Sequence, residues 1–428
     1  MESYGKILLI AMPAFLILVL FEKFWGWSRG KDTVRNMDMV SSLSSGITNV
    51  TKDVLELSIA IISYGWLVEH LAVIHITGTI WVYLVAFLAL DFAGYWIHRI
   101  QHVTNFFWNG HIVHHSSEEF NLACALRQSI SGIVKIFVVF LLPAAILGVP
   151  AEVIAVVAPL HLFAQFWYHT QHIHKMGFLE KIIVTPSHHR VHHAINPEYI
   201  DKNYSQIFIF WDKLFGTFQP ELENVPPVYG ITRPAQTWNP IKINFQHLWL
   251  LIKDAWRTKS WKEKLTLWFR PTGYRPPDVI EKFPIHKIQD VYNFKKYSPK
   301  TSAGLQTWSW IQIILMLLFI SYLFGNIATI NNLDGRYIYI YGAFVFLGVY
   351  AFTELMDRNP YAIFWEAAKN VFGLTIILKT GDWFGASQFV PWINYLLIAY
   401  FVSSTVIVSW FVFLNRKEDH NIPSVAIS

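Results

Sequence analysis

Apolar runs close to twenty residues long recur along this chain, each about the length a helix needs to cross the hydrocarbon core of a bilayer. They lie roughly at 5–22, 46–70, 77–97, 130–149 and 151–170, and again at 305–325, 336–355, 361–380 and 389–414. Backbone groups inside lipid must satisfy their own hydrogen bonds, so the runs predict helices rather than strands or loops. The fold class that follows is all-α, a polytopic transmembrane helical bundle. Composition agrees: 54% of the residues are hydrophobic and only 15% are charged, against roughly 25% charged in an average soluble domain. The first run follows Lys6 as a signal peptide would, but it leads into Glu22-Lys-Phe-Trp25 without a small-residue cleavage site. It reads as a retained span.

Between the two groups of runs lies a long non-spanning region, 171–304, which holds 19 of the 34 Lys and Arg residues. Positive charge concentrates on cytoplasmic loops, so this region is expected in the cytoplasm. The loop after the first span, with Lys23, Arg29, Lys31 and Arg35, falls on the same side. The Glu69–Gly78 loop, the Val149-Pro150 turn and the Asn326–Asp334 loop have no Lys or Arg. This alternation puts the N-terminus outside and the Arg416-Lys417 tail inside. Four segments result: N-terminal transmembrane helices (1–76), a histidine-rich core (77–220), a cytosolic Pro- and aromatic-rich amphipathic segment (221–304) and C-terminal transmembrane helices (305–428). The net charge of +5 flanks the spans, so it reads as topology and anionic-lipid contact, not nucleic-acid binding.

Thirteen of the 18 histidines fall between His98 and His193. In His98-Arg-Ile-Gln-His102, at the end of a span, the two rings share a helix face and can reach one ion. In His111-Ile-Val-His114-His115, the last two rings lie near the first but diverge sideways, so this group can serve two ions. His189, His192 and His193 repeat that pattern, and Pro186-Ser187 before them suits a helix start. Several cationic imidazoles in one place would repel one another, whereas neutral imidazoles around metal are stable. The single cysteine, Cys124, excludes a cysteine-rich zinc site or an iron–sulfur cluster, so nitrogen and oxygen must hold the metal. About eight nitrogen ligands exceed one ion's coordination, and two metals follow.

Imidazole suits zinc, copper, iron and nickel alike. A hydrolytic zinc site needs about three protein ligands and no membrane, so a dimetal centre at span ends points to redox chemistry on a lipid. A metal transporter would carry its ligands near the bilayer midplane, and a scaffold does not explain so many of them. His169, closing the fifth run, is a candidate to complete one ion's shell. His188 is a candidate ligand or a donor to one. His172 and His174 are candidate ligands or interfacial residues, and His161 is a packing or orienting residue. His70, His75, His247, His286 and His420 receive no role. Asp91 lies two helical turns before His98 inside a span, where a charge costs about 2.5–3.5 kcal/mol, and is expected to orient a ligand imidazole from behind. No catalytic side chain is assigned beyond the metal centre.

The set HxxxH, HxxHH and HxxHH after hydrophobic spans resembles the fatty acid hydroxylase and sterol desaturase superfamily. Neighbouring words narrow the likeness: His111-Ile-Val-His-His-Ser-Ser-Glu118, Asn121-Leu-Ala-Cys-Ala-Leu-Arg-Gln128, Gln165-Phe-Trp-Tyr-His-Thr170, Thr185-Pro-Ser-His-His-Arg-Val-His-His193, Ile200-Asp-Lys-Asn-Tyr204 and Trp211-Asp-Lys-Leu-Phe-Gly-Thr217 are similar to its alkylglycerol monooxygenase branch. The resemblance covers about residues 85–220. It implies a helical membrane bundle under a cytosolic cap, with two Fe ions held by His98, His102, His111, His114, His115, His189, His192 and His193. It also implies insertion of one atom of O2 into a lipid C–H bond, at the O-alkyl carbon of ether lipids or, as an alternative, in a sterol or fatty acyl chain. Tetrahydrobiopterin is the electron donor the branch implies. No GxGxxG fingerprint or fused haem module is present, so the electron donor is external. The chain departs from the animal branch at Val103 and Gln171, where those members carry glutamates.

Overall fold

A computed structural model describes residues 1–74, 76, 79–135 and 137–420, without the side chains of 134, 135, 137 and 415–420. His75 and the end of the Glu69–Gly78 loop lie outside these residues, as do the side chains of the Arg416-Lys417 tail and His420. The helices that build the bundle and its cap are α1 (Glu2–Ser28), α2 (Asn36–Val54), α3 (Ile80–Val103), α4 (Ile112–His115), α5 (Ala151–Phe163), α6 (Pro186–His192), α7 (Pro240–Arg257), α8 (Trp261–Thr266), α9 (Ala303–Gly325), α10 (Tyr337–Met356), α11 (Ala362–Thr380) and α12 (Ile393–His420). Strand structure among the described residues is a two-residue parallel pairing of Ile59–Ala60 with Val134–Lys135.

Among the described residues, five helices are long and apolar enough to span a membrane: α1, α3, α9, α10 and the Ile393–Leu414 part of α12. The chain is an integral membrane protein. α10 runs through the middle of the bundle, where Tyr341, Phe344, Val345, Val349 and Phe352 pack with Ile313, Met316 and Ile320 of α9. α1 lies outside, leaving Ile7, Ile10, Ile17 and Phe21 uncovered as lipid-facing side chains.

Direction follows from contacts at the helix ends. At one end, Asn36 of α2 bonds Gln306 of α9, and Lys242 of α7 pairs with Glu354 of α10. At the other, the Met1 amine meets Glu56 just past α2, and Gly5 of α1 lies against Phe324 and Ile327. The last turns of α1, α3 and α10 and the first turns of α2 and α9 therefore share one end of the bundle. The cap sits there.

Three expected spans take other forms. The crossing placed at 46–70 is made by α2, about 28 Å long at 1.5 Å per residue. Its hydropathy hid it, because α2 is serine-rich and lies buried between neighbouring helices rather than in lipid. Its hydroxyls find partners, Ser44 donating to Val40 O at 2.6 Å and Thr51 to Ile47 O at 2.7 Å within the helix, and Ser41 to Trp238 O at 2.7 Å outside it. The 130–149 run is not one helix: the Phe137–Leu141 3₁₀ turn and the short Leu142–Ile146 helix stand in its place. Pro143, Gly148 and Pro150 break the helical pattern in and just after the run. α5 stops at Phe163, and tight turns carry the chain on to His169.

The 361–380 run does form α11, although it carries charge. Lys369 bonds Glu366 at 2.6 Å and the Tyr400 hydroxyl at 2.9 Å, and both ions are 1% exposed. Turned toward α12 and paired, the charges do not meet lipid.

Candidate metal centre

Short, well-anchored elements aim the histidines at one another. The last two turns of α3 supply His98 and His102; α4 supplies His114 and His115, with His111 at its start. α6 supplies His189 and His192, with His193 at its end. The turn after α5 supplies His169. Their ring nitrogens fall into two groups: His98, His102, His111, His115 and His192 in one, and His114, His169, His189 and His193 in the other. Within each group the donor atoms all lie within 4.8 Å of one another. Neighbouring histidines part company at each short helix, His114 from His115 and His192 from His193, and the His115 and His193 rings stack 4.3 Å apart where the groups meet.

Whether these residues fit metal is decided by where their protons are. His114 Nδ1 donates to Arg127 O at 3.2 Å, and His169 Nδ1 donates to Gln165 O at 3.1 Å. A carbonyl oxygen only accepts, so each ring spends its proton at Nδ1 and turns a lone pair inward at Nε2. Those two Nε2 atoms face each other at 3.3 Å with no proton between them. Two lone pairs so placed repel unless a cation lies between.

The first group is built alike, with His98 Nδ1 donating to Tyr204 O at 2.8 Å and His192 Nδ1 to Lys202 O at 3.0 Å. Burial holds His111, His114, His115, His189, His192 and His193 well below the usual imidazole pKa and His169 at about 4, so the rings stay neutral. The Nε2–Nε2 distances, from 2.9 Å (His98–His111) to 3.3 Å, match the edges of a coordination polyhedron. With metal–nitrogen bonds of about 2.1 Å, those edges are about 3.0 Å in octahedral and about 3.4 Å in tetrahedral geometry. The residues fit two metal ions.

The structure brings the eight histidines together and adds His169 to the second group. His188 lies outside both: its side chain closes a capping box with Thr185 at the start of α6, and its ring packs on Phe218. His172 bonds Thr33, and His247 bonds Asn105 O. Asp91 does not orient His98. Its oxygens go to His161 at 2.9 Å, the amides of Ile207 and Phe208, and the Trp211 indole. It thereby secures the loop whose Tyr204 carbonyl receives His98, a loop also held by Asp212 through the Tyr204 and Ser205 amides. The reason is reach: Asp91 is two turns from His98 along the helix, and the loop crosses between.

Sequence reasoning passed over the residues that hold these carbonyls. Arg127 is pinned by Asp38 of α2 at 2.6 Å, Ser116 at 2.9 Å and Ser42 at 2.9 Å, all buried. Glu22 of α1 accepts from Thr170 and the Leu122 amide, both at 2.6 Å, and so ties α1 to the turn bearing His169. Asp38 and Glu22 are isolated acids in apolar or serine-rich stretches, and only an acid inside a crossing helix could have marked them.

A cavity of about 240 Å³ borders the centre on the cap side. It touches His102, His115, His192 and His193, and its far wall includes Thr232, Arg233, Tyr274 and Arg275.

Membrane-crossing helices that end beneath nine converging imidazoles define a histidine-rich membrane oxidoreductase. A profile of the Fatty acid hydroxylase family matches residues 83–217, the stretch that carries all nine. Alkylglycerol monooxygenase of Homo sapiens is 36% identical over 84% of this chain and 80% of its own length. The enzymes of that name in Xenopus tropicalis and Danio rerio are 35% and 33% identical, over 83% and 84% of this chain and 78% and 80% of theirs. The chain belongs to the alkylglycerol monooxygenase family, within the fatty acid hydroxylases, and is a membrane lipid monooxygenase. No solved structure matches it significantly.

Proposed function

We propose that His98, His102, His111, His115 and His192 hold one iron ion, that His114, His169, His189 and His193 hold a second, and that the enzyme hydroxylates the O-alkyl carbon of ether lipids. The observation that carries this reading is the pairing of two all-imidazole groups at the end of a membrane span, in a chain similar over most of its length to alkylglycerol monooxygenases. When bound, the iron pair would supply the redox chemistry that splits O2. The overall balance is R–H + O2 + 2 electrons + 2 protons giving R–OH + water, with tetrahydrobiopterin as the proposed external donor. At the O-alkyl carbon the product is a hemiacetal, which breaks to an aldehyde and glycerol.

This chain's own residues do the positioning. The Tyr204, Arg127, Lys202 and Gln165 carbonyls keep four imidazoles in the tautomer that offers Nε2. Phe120, Tyr168 and Tyr229 wall the second group from water; Tyr168 lies 4.4 Å from the His189 ring, and Phe120 stacks on Tyr229 at 5.1 Å. A lipid in the bilayer meets the centre at the depth of the last turns of α3. The Lys- and Arg-rich cap supports a cytoplasmic position for the centre, testable by protease access in sealed vesicles.

The test is metal analysis of purified protein, then turnover of an alkylglycerol, a sterol and a fatty acid under O2 and under nitrogen, with and without tetrahydrobiopterin. The expected result is two irons per chain and aldehyde formed only from the ether lipid, only with O2 and the pterin. Fewer than two metals, or turnover indifferent to oxygen, would defeat the proposal.

A further inference from the structure

The cavity beside the metal centre is walled by residues from 102–115, 192–201, 230–233, 246–251 and 272–287. Among the described residues, His102, in the last turn of α3, is the sole contribution of a membrane-spanning helix. Its rim carries Ile200, Asp201, Thr232, Gly273 and Lys287, all exposed on the cap. A lipid tail would have to leave the bilayer to enter. A water-borne molecule would not.

The lining also states what kind of molecule. Trp108 forms part of the wall with its ring 5.0 Å from His102 and 5.5 Å from His115, so a flat molecule against it lies beside imidazoles of the first group. Arg275 is locked to Asp254 at 2.6 and 2.8 Å. Arg233, half-buried in the same wall, makes no hydrogen bond or ion pair to another described residue. A guanidinium that lines a cavity, with no acceptor from the protein on its donor fork, is open to an acceptor on a bound molecule.

We infer that this cavity is the docking site of the soluble two-electron reductant, a small planar heterocycle whose carbonyl or anionic edge is held by Arg233 while its face lies on Trp108. The inference rests on the monooxygenase reading and adds the route by which electrons arrive. The donor would give up two electrons and two protons, which with O2 leave one oxygen atom on the lipid and one in water. The two substrates approach from opposite sides, the lipid through the bilayer and the reductant through the cap.

The test compares wild type with Arg233→Gln and Arg233→Lys in the iron-loaded full chain, using tetrahydrobiopterin, an alkylglycerol and, separately, dithionite. R233Q should raise KM for the pterin about tenfold or more, the worth of one charge-assisted bond, with KM for the lipid and iron content within about twofold of wild type. R233K should fall between, and dithionite should rescue turnover of R233Q. Unchanged pterin KM, or a shift in the lipid KM instead, overturns the assignment; loss of iron shows a structural role and overturns it too. Wild type that runs on dithionite but not on the pterin refutes the named donor. The cavity assignment then fails if R233Q leaves KM unchanged for every planar heterocyclic reductant that supports turnover.

Discussion

Replacing Asp38 with Asn should loosen the second metal group from a distance. Asp38 sits on α2 and touches no histidine; it bonds Arg127 at 2.6 Å and accepts from Ser117 at 2.9 Å. The Arg127 carbonyl in turn receives the His114 Nδ1–H. Asn keeps the shape but removes the charge, and leaves the Arg127 guanidinium unpaired where both side chains are 2% exposed. Breaking one partner of a buried ion pair costs about 3–5 kcal/mol, and part of that cost returns as movement of the Arg127 segment. Disturbing the partner behind a ligand imidazole lowers metal affinity by about 10–100-fold. Chelator titration of the iron-loaded protein should therefore show one iron leaving D38N at about 10–100-fold lower chelator concentration, while the other is held as in wild type. The double variant D38L/R127M, which removes both charges, should recover most of the lost stability. Iron release unchanged in D38N, or both irons lost together, would refute a path through Arg127 to His114.

Three further outcomes follow from the same geometry. His169→Ala should lose one iron per chain and lower turnover at least about 100-fold, measured by metal analysis and aldehyde formation, because His169 sits inside the second group. His188→Ala should keep both irons and lose about 1 kcal/mol of stability from the cap it breaks; equal iron loss in both variants would contradict the division of roles. Burial lowers His247 to about 4, below the roughly 6.5 of an unfolded chain. The unfolded state therefore takes up the proton first, and stability falls as pH drops from about 6.5 toward 4, by at most about 1.4 kcal/mol per pH unit from this one group. Denaturation curves at pH 6.5 and 4.5 should show a smaller loss for His247→Gln, which keeps a donor to Asn105 O, than for wild type.

Much of this protein could be read along the chain, because its two strongest constraints act over short distances. Crossing lipid demands an unbroken apolar helix, so α1, α3, α9, α10 and α12 showed themselves as runs. Binding metal from a helix demands imidazoles one turn apart, so His98 with His102, and His189 with His193, declared a shared face. The tertiary structure decided what depends on partners far away in sequence. It put His111 with His115 rather than with His114, brought His169 in from the turn after α5, and placed His188 in a helix cap instead. It let the serine-rich α2 cross the bundle by covering it with other helices, and it turned Asp91 toward His161 and a loop rather than toward His98. A buried polar group takes whichever partner the packing brings within about 3 Å. Helical spacing sets which side chains face one way; only the packed chain sets what they meet.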